Sequence, residues 1–147
     1  MKITFLGAGS TVFVKNVLGD VLLTPVLCED LEIALYDIDG ARLQDSLLVV
    51  ERLNEKYNGG KANITAYLGT ENRKEALRGA DFAVNAIQVE GYEPCTVMDF
   101  EIPKKYGLRQ TIGDTLGIGG IFRGLRTIQV MKEFARDMEA VCSRAWL

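Results

Sequence analysis

The sequence predicts an α/β fold, a parallel sheet with helices on both faces. Two observations carry this. Short apolar segments alternate with stretches of helical periodicity, and glycine, proline, asparagine or aspartate punctuates the joins between them. Residues 2–6 (KITFL) read as the first strand, closed by Gly7-Ala8-Gly9-Ser10. From Ser10, apolar residues recur with helical spacing at Val12, Phe13, Val17, Leu18, Val21 and Leu22, until Pro25 ends the run. A second strand over 32–36 (EIALY) leads into Asp37-Ile38-Asp39-Gly40, where Asp39 is placed to cap a helix striped by Leu43, Leu47, Val50 and Leu53. Asn58-Gly59-Gly60 breaks that helix. A third strand over 64–68, a short helix over 72–78 closed by Gly79, and a fourth strand over 81–87 complete the alternation. Parallel strands joined this way take right-handed crossovers.

After Gln88 the regularity weakens. Residues 92–106 are predicted to be helical in pieces, with a break or kink at Pro103. The stretch 110–120, QTIGDTLGIGG, holds four glycines and precedes one long helix over 121–140, through Ile121, Leu125, Ile128, Met131, Ala135 and Met138. No repeat, low-complexity tract or internal linker interrupts the chain, so 1–147 is expected to be one domain. The closing SRAWL reads as the beginning of another strand, and the chain is expected to be part of a longer protein.

Composition narrows the function. The 147 residues suffice for a proper core, with 48% apolar and 25% charged residues. A net charge of −3 supplies no basic field for nucleic acid or an anionic membrane. No uninterrupted apolar run is long enough to span a bilayer, and the N-terminus lacks the apolar stretch of a signal peptide. Cys28, Cys95 and Cys142 are widely spaced, which argues for a reducing compartment and a cytoplasmic location. The absence of histidine removes the commonest general base and metal ligand.

Gly7-x-Gly9 lies between a strand and a helix, where one glycine permits a tight turn and the other lets backbone amides approach a pyrophosphate. The third glycine of the full fingerprint is replaced by Val12, so a plain strand-to-helix turn stays open. Asp37 ends the second strand, where a ribose-binding carboxylate is expected, although its spacing from Gly9 exceeds the usual ~20 residues; a surface turn is the alternative. Asn85, at the end of the fourth strand, is either a nicotinamide-side ligand or an ordinary strand end. Cys95 has no histidine to activate it and reads as a small buried hydrophobe. Lys104, Lys105, Arg109, Arg123 and Arg126 form a basic region that reads as a solvated face. Asp114 stands on a lean backbone, as a binding or catalytic acid or as a turn residue. The residues alone thus point to a Rossmann-type dinucleotide-binding domain with its chemistry unassigned.

MKITFLGAGSTVF, then ALYDID, then GADFAVNAIQVEGYEPCTVMDFEIPKKYGLRQTIGDTLGIGGIFRGLRTI resemble glycoside hydrolase family four, in its alpha-galactosidase (melibiase) branch, and the resemblance runs from Met1 to Leu147. It implies a lactate-dehydrogenase-like NAD-binding domain, truncated before the catalytic domain, from an NAD- and divalent-metal-dependent enzyme, the metal being manganese. Such enzymes depart from the two-carboxylate scheme of most glycosidases. The implied mechanism is redox elimination and addition: transient oxidation at sugar C3, removal of the C2 proton, loss of the aglycone, addition of water and reduction. By position, Gly7, Gly9 and Ser10 would hold the pyrophosphate, Asp37 the adenosine ribose and Asn85 the nicotinamide side. Asp114 would polarise the catalytic base, and Thr96 would fall near the substrate. The substrate implied is an alpha-galactoside such as melibiose, and the assembly a homo-oligomer. The family's metal-binding cysteine and histidine and its catalytic tyrosine have no counterpart here, so this chain alone is expected not to hydrolyse glycosides. A 2-hydroxyacid dehydrogenase domain and a non-catalytic nucleotide-binding module are the alternative readings.

Overall fold

The computed structural model describes residues 1–111 and 115–147. They form two compact units, one of Met1–Ile87 with Arg136–Leu147 and one of Gln88–Ala135.

The first unit is built on four parallel strands, β1 (Lys2–Leu6), β2 (Glu32–Asp37), β3 (Asn63–Leu68) and β4 (Phe82–Asn85), in the order β3-β2-β1-β4. The register sets Phe5 beside Leu35 on one side and Val84 on the other. Between the strands run α1 (Thr11–Leu22), α2 (Gly40–Asn58) and α3 (Arg73–Leu77). Alternation along β1 divides its side chains between the faces of the sheet. Ile3 and Phe5 join Val14, Leu18 and Leu22 of α1 and Leu43 and Val50 of α2 in the core, while Thr4, fully buried, donates its hydroxyl to the Ala76 carbonyl of α3 at 2.8 Å. Helices therefore cover both faces, as the sequence predicts.

Local chemistry explains the boundaries. Asp39 caps α2, its Oδ1 accepting the amides of Ala41 and Arg42 at 3.1 Å. Gly59, in the left-handed region, closes the helix. The buried face of α1 differs from the stripe read from the sequence. It is Val14, Leu18 and Leu22, one residue every four, whereas Val12 is 71% exposed because it lies at the open start of the helix. Phe13 is partly exposed but keeps an edge-on contact with Phe5. Past α5 (Gly117–Val141), Trp146 pairs in parallel with Phe82; its carbonyl accepts the Ala83 amide at 2.7 Å, in keeping with SRAWL as an incipient strand. Asp137 of α5, largely buried, takes an ion pair from Arg73 and a longer one, 3.5 Å, from Lys74.

In the second unit a helical turn over Gly91–Thr96 leads into α4 (Val97–Lys105). The irregularity expected at Pro103 occurs instead at Glu93, whose extended dihedrals interrupt the turn. Pro103 stays inside α4; having no amide for the Asp99 carbonyl, it leaves that carbonyl to accept Gln110 Nε2 at 3.0 Å. Among the described residues, no helix is long and apolar enough to cross a membrane.

A Cβ on Gly7 would stand 2.7 Å from the Ala86 carbonyl and 2.8 Å from the Ile87 nitrogen, at a φ of +82° that favours glycine. Gly7→Ala should destabilise the protein by about 2–5 kcal/mol, from backbone strain and overpacking together, as read by urea unfolding.

Candidate functional site

From β1 the sheet grows through β2 to β3, and the chain then returns to pair β4 with the other edge of β1. Strand order thus reverses between β1 and β4, and in open α/β sheets the crevice beyond the carboxyl ends at such a point is where ligands bind. Gly7-Ala8-Gly9-Ser10 follows β1 there, and Asn85-Ala86-Ile87 ends β4.

The turn after β1 is held on several sides. The amides of Gly7 and Ala8 both donate to the Tyr36 carbonyl, at 3.0 and 2.9 Å. Asp37 accepts the Gly9 amide on Oδ2 at 2.5 Å and the Asp39 amide on Oδ1 at 2.9 Å. Arg42 Nε donates to the Gly9 carbonyl at 3.1 Å, and the fully buried Ser46 hydroxyl to the Ala8 carbonyl at 2.6 Å. Any side chain at position 9 would press on Asp37, since a Cβ would lie 2.8 Å from its Oδ2.

Above this turn, α1 begins uncapped. Ser10 makes no side-chain cap, the first turn carries no acid, and the first amide bonded back along the helix is that of Val14, to the Ser10 carbonyl. The amides of Thr11, Val12 and Phe13 are left to an outside acceptor, at the positive end of the helix. That donor set suits a phosphate. Asp37 retains a lone pair on each oxygen for a ribose hydroxyl beyond the two amides it binds. Asn85 is exposed, with its Oδ1 accepting the Ile87 amide at 3.2 Å.

The second unit has a buried ionic centre. Asp99, 1% exposed, receives both terminal nitrogens of Arg126 at 2.8 and 2.6 Å. Arg126 is therefore not part of a solvated basic face; its fork is drawn inward by a carboxylate that could not be buried alone. This hydrogen-bonded carboxylate pushes the guanidinium pKa up. Cys95 is buried, as its reading as a small hydrophobe requires, and also donates its thiol to Glu90 Oε2 at 2.9 Å. The hydrogen bond to Glu90, followed by burial, raises the thiol pKa, so the protonated form is favoured. Thr96 Oγ1 accepts from Gln88 at 3.3 Å. Asp114 lies outside the described residues.

Residues 2–147 match the family described as family 4 glycosyl hydrolase. The chain belongs to glycosyl hydrolase family 4. Among its relatives, the alpha-galactosidase of Bacillus subtilis (strain 168) is 61% identical over 99% of this chain and 32% of its own length. That of Rhizobium meliloti (strain 1021) is 37% identical over 95% of this chain and 27% of its own. The chain thus spans about a third of the length of these relatives. Among solved structures, a 6-phospho-alpha-glucosidase from gut microorganisms in complex with NAD and glucose-6-phosphate superposes with a TM-score of 0.77, at 27% identity, over 96% of this chain and 30% of that one. A 6-phospho-alpha-glucosidase structure with NAD and Mn2+ shares the fold at a TM-score of 0.81 and 23% identity, over 99% of this chain and 31% of that one.

In this glycosyl hydrolase family 4 chain, Gly7, Gly9, Ser10, Asp37 and Asn85 all lie in the first unit, around the carboxyl ends of β1, β2 and β4, while Thr96 lies in the second. Sequence reasoning did not single out Arg42, Ser46, Asp99 or Gln110. Ser46 had a signal, a small polar residue on the apolar face of α2, but Asp99 and Arg126 are 27 residues apart and nothing local pairs them.

Two outcomes follow from the second unit. Arg126→Met should cost about 3–5 kcal/mol by stranding the Asp99 carboxylate in the interior, measured by chemical denaturation. Glu90→Gln should speed alkylation of Cys95 by iodoacetamide at mildly alkaline pH, because the thiolate no longer forms beside a carboxylate; mass spectrometry of the Cys95 peptide reads the rate.

Proposed function

We propose that this chain is the NAD-binding portion of an alpha-galactosidase that hydrolyses alpha-galactosides, melibiose among them, in the cytoplasm as a homo-oligomer. The observation that carries the reading is the high identity with the Bacillus subtilis alpha-galactosidase, sustained along nearly the whole chain. The site geometry supports the cofactor half of the proposal. Open amides at the start of α1 receive the pyrophosphate, Gly9 keeps that approach free of a side chain, and Ser10 adds a hydroxyl beside it. Asp37 takes the adenosine ribose, and Asn85 orients the nicotinamide side across the crevice. When bound, NAD supplies a reversible hydride acceptor that makes the sugar's neighbouring C–H acidic.

In this reading residues 1–147 act together as the cofactor domain. Asp114 polarises the base that removes the sugar proton, and Thr96 contacts the sugar. The divalent metal, manganese, finds its ligands elsewhere in the longer protein. Among the described residues no group of three or more histidine, cysteine or acidic side chains is arranged to hold it.

Calorimetric titration with NAD tests the cofactor site. Binding is expected, and Gly9→Val should abolish it by displacing Asp37 and filling the approach to the amides. Retained affinity in that variant would overturn the placement. Asp37→Ala should weaken NAD by about 1–3 kcal/mol. In the full-length protein, supplied with NAD and manganese, turnover of an aryl alpha-galactoside should exceed that of the alpha-glucoside and alpha-galacturonide. Asp114→Asn should lower kcat while leaving NAD affinity near normal; a collapse of that affinity would move Asp114 into the cofactor site.

A further inference from the structure

Arg42 stands beside Asp37 at the turn after β1. It lies in the first turn of α2, and its Nε donates to the Gly9 carbonyl at 3.1 Å. A Cβ at position 9 would meet the Asp37 carboxylate at 2.8 Å and the Arg42 Cβ at 3.0 Å, so both side chains press on the same side of the turn. That hydrogen bond occupies Nε alone. Arg42 is exposed, and among the described residues its two terminal nitrogens enter no hydrogen bond or ion pair. Arg126 makes the contrast, since both of its terminal nitrogens are spent on Asp99.

The local charge explains why a cation matters there. Residues 7–13 carry no charged side chain, and residues 37–42 carry two acids, Asp37 and Asp39, against one base, Arg42. A diphosphate adds negative charge of its own beside those acids, and like charges at close range repel. The open amides at the start of α1 answer part of that repulsion with partial charges. A full positive charge has to come from a side chain, and Arg42 is the one these segments hold. Its Nε bond also masks the negative end of the Gly9 carbonyl. The rest of the guanidinium fork remains a donor set that matches phosphate oxygens.

We propose that Arg42 is a further cofactor-binding residue: held by its Nε on the Gly9 carbonyl, it presents its terminal nitrogens to the diphosphate of the dinucleotide. The proposal rests on the NAD reading for the identity of the ligand.

Two variants of the full-length protein separate the charge from the fastening. Glutamine carries an N–H donor as many bonds from Cα as arginine Nε, so Arg42→Gln can keep the bond to Gly9 while removing the charge. Arg42→Lys keeps the charge on a different head group. NAD and ADP are titrated calorimetrically at low salt and at about 1 M salt, where the screening length falls to about 3 Å. Adenosine, with the base and ribose but no phosphate, is followed as a competitor. At low salt Arg42→Gln should bind NAD and ADP on the order of tenfold more weakly. At high salt that difference should shrink to about twofold. Arg42→Lys should retain the salt dependence of the unmodified protein, and adenosine should bind all three equally. Undiminished NAD affinity in Arg42→Gln would overturn the proposal. So would a loss that persists at high salt or is shared by adenosine, because either assigns Arg42 to the structure of the turn or to the nucleoside. Should the unmodified protein bind neither NAD nor ADP, the cofactor reading fails and the proposal with it; binding that ignores the Arg42 charge defeats the proposal alone.

Discussion

The Asp37 carboxylate is the constraint on which the candidate cofactor site depends. By accepting the Gly9 amide with one oxygen and the Asp39 amide with the other, it ties the turn after β1 to the turn after β2. The first of these turns starts α1 and the second starts α2, so one side chain coordinates the entry of both helices that cover that face of the sheet. Arg42 and Ser46, on α2, complete the tie by holding the carbonyls of Gly9 and Ala8. With both carbonyls and the Gly9 amide engaged inside the protein, the groups still lacking acceptors are the first amides of α1. The turn is built to direct its polarity outward in one direction only.

This arrangement gives Asp37 a double role. A ribose carboxylate read from sequence is a ligand group alone, yet here the same atoms also brace the phosphate-facing turn. Occupation of the ribose position and order in the turn are then coupled through one side chain. Such coupling favours a site whose geometry is set before the ligand arrives, which lowers the ordering cost of binding.

The alternating elements of the first unit were legible because each obeys a local rule. Apolar runs made strands, Asp39 made a cap, and Gly59 and Gly79 made stops. What was not legible has more than one cause. The stripe of α1 was misjudged at Val12 and Phe13 because the sequence does not show where the first turn of the helix meets open space. The kink at Glu93 escaped notice although it had a local signal, since Glu93 precedes Pro94 and the residue before a proline is steered to extended dihedrals. Arg126 was read as a surface cation because its partner, Asp99, is brought near only by the fold. The sequence shows the glycines of 110–120 only as a cluster ahead of a helix. The close neighbours now seen at Gly117 and Gly120 belong to the protein itself, a glutamine amide and a threonine carbonyl.

The buried face of α2 carries two polar residues among its apolar ones, and each is committed to a backbone group outside the helix. Ser46 binds the Ala8 carbonyl, while Asn54 both donates to the Ala62 carbonyl at 3.0 Å and accepts the Ala62 amide at 3.2 Å. An apolar stripe alone would tolerate sliding, since shifting a helix by one turn, about 5.4 Å, brings a similar set of methyl groups into the same grooves. Here a slip would strand the hydroxyl, the amide and their backbone partners away from water, at about 1–3 kcal/mol for each unpaired group. The two residues act as keys cut at either end of the helix. They remove the near-miss packings from competition and leave α2 a single seat, the one in which Arg42 reaches Gly9.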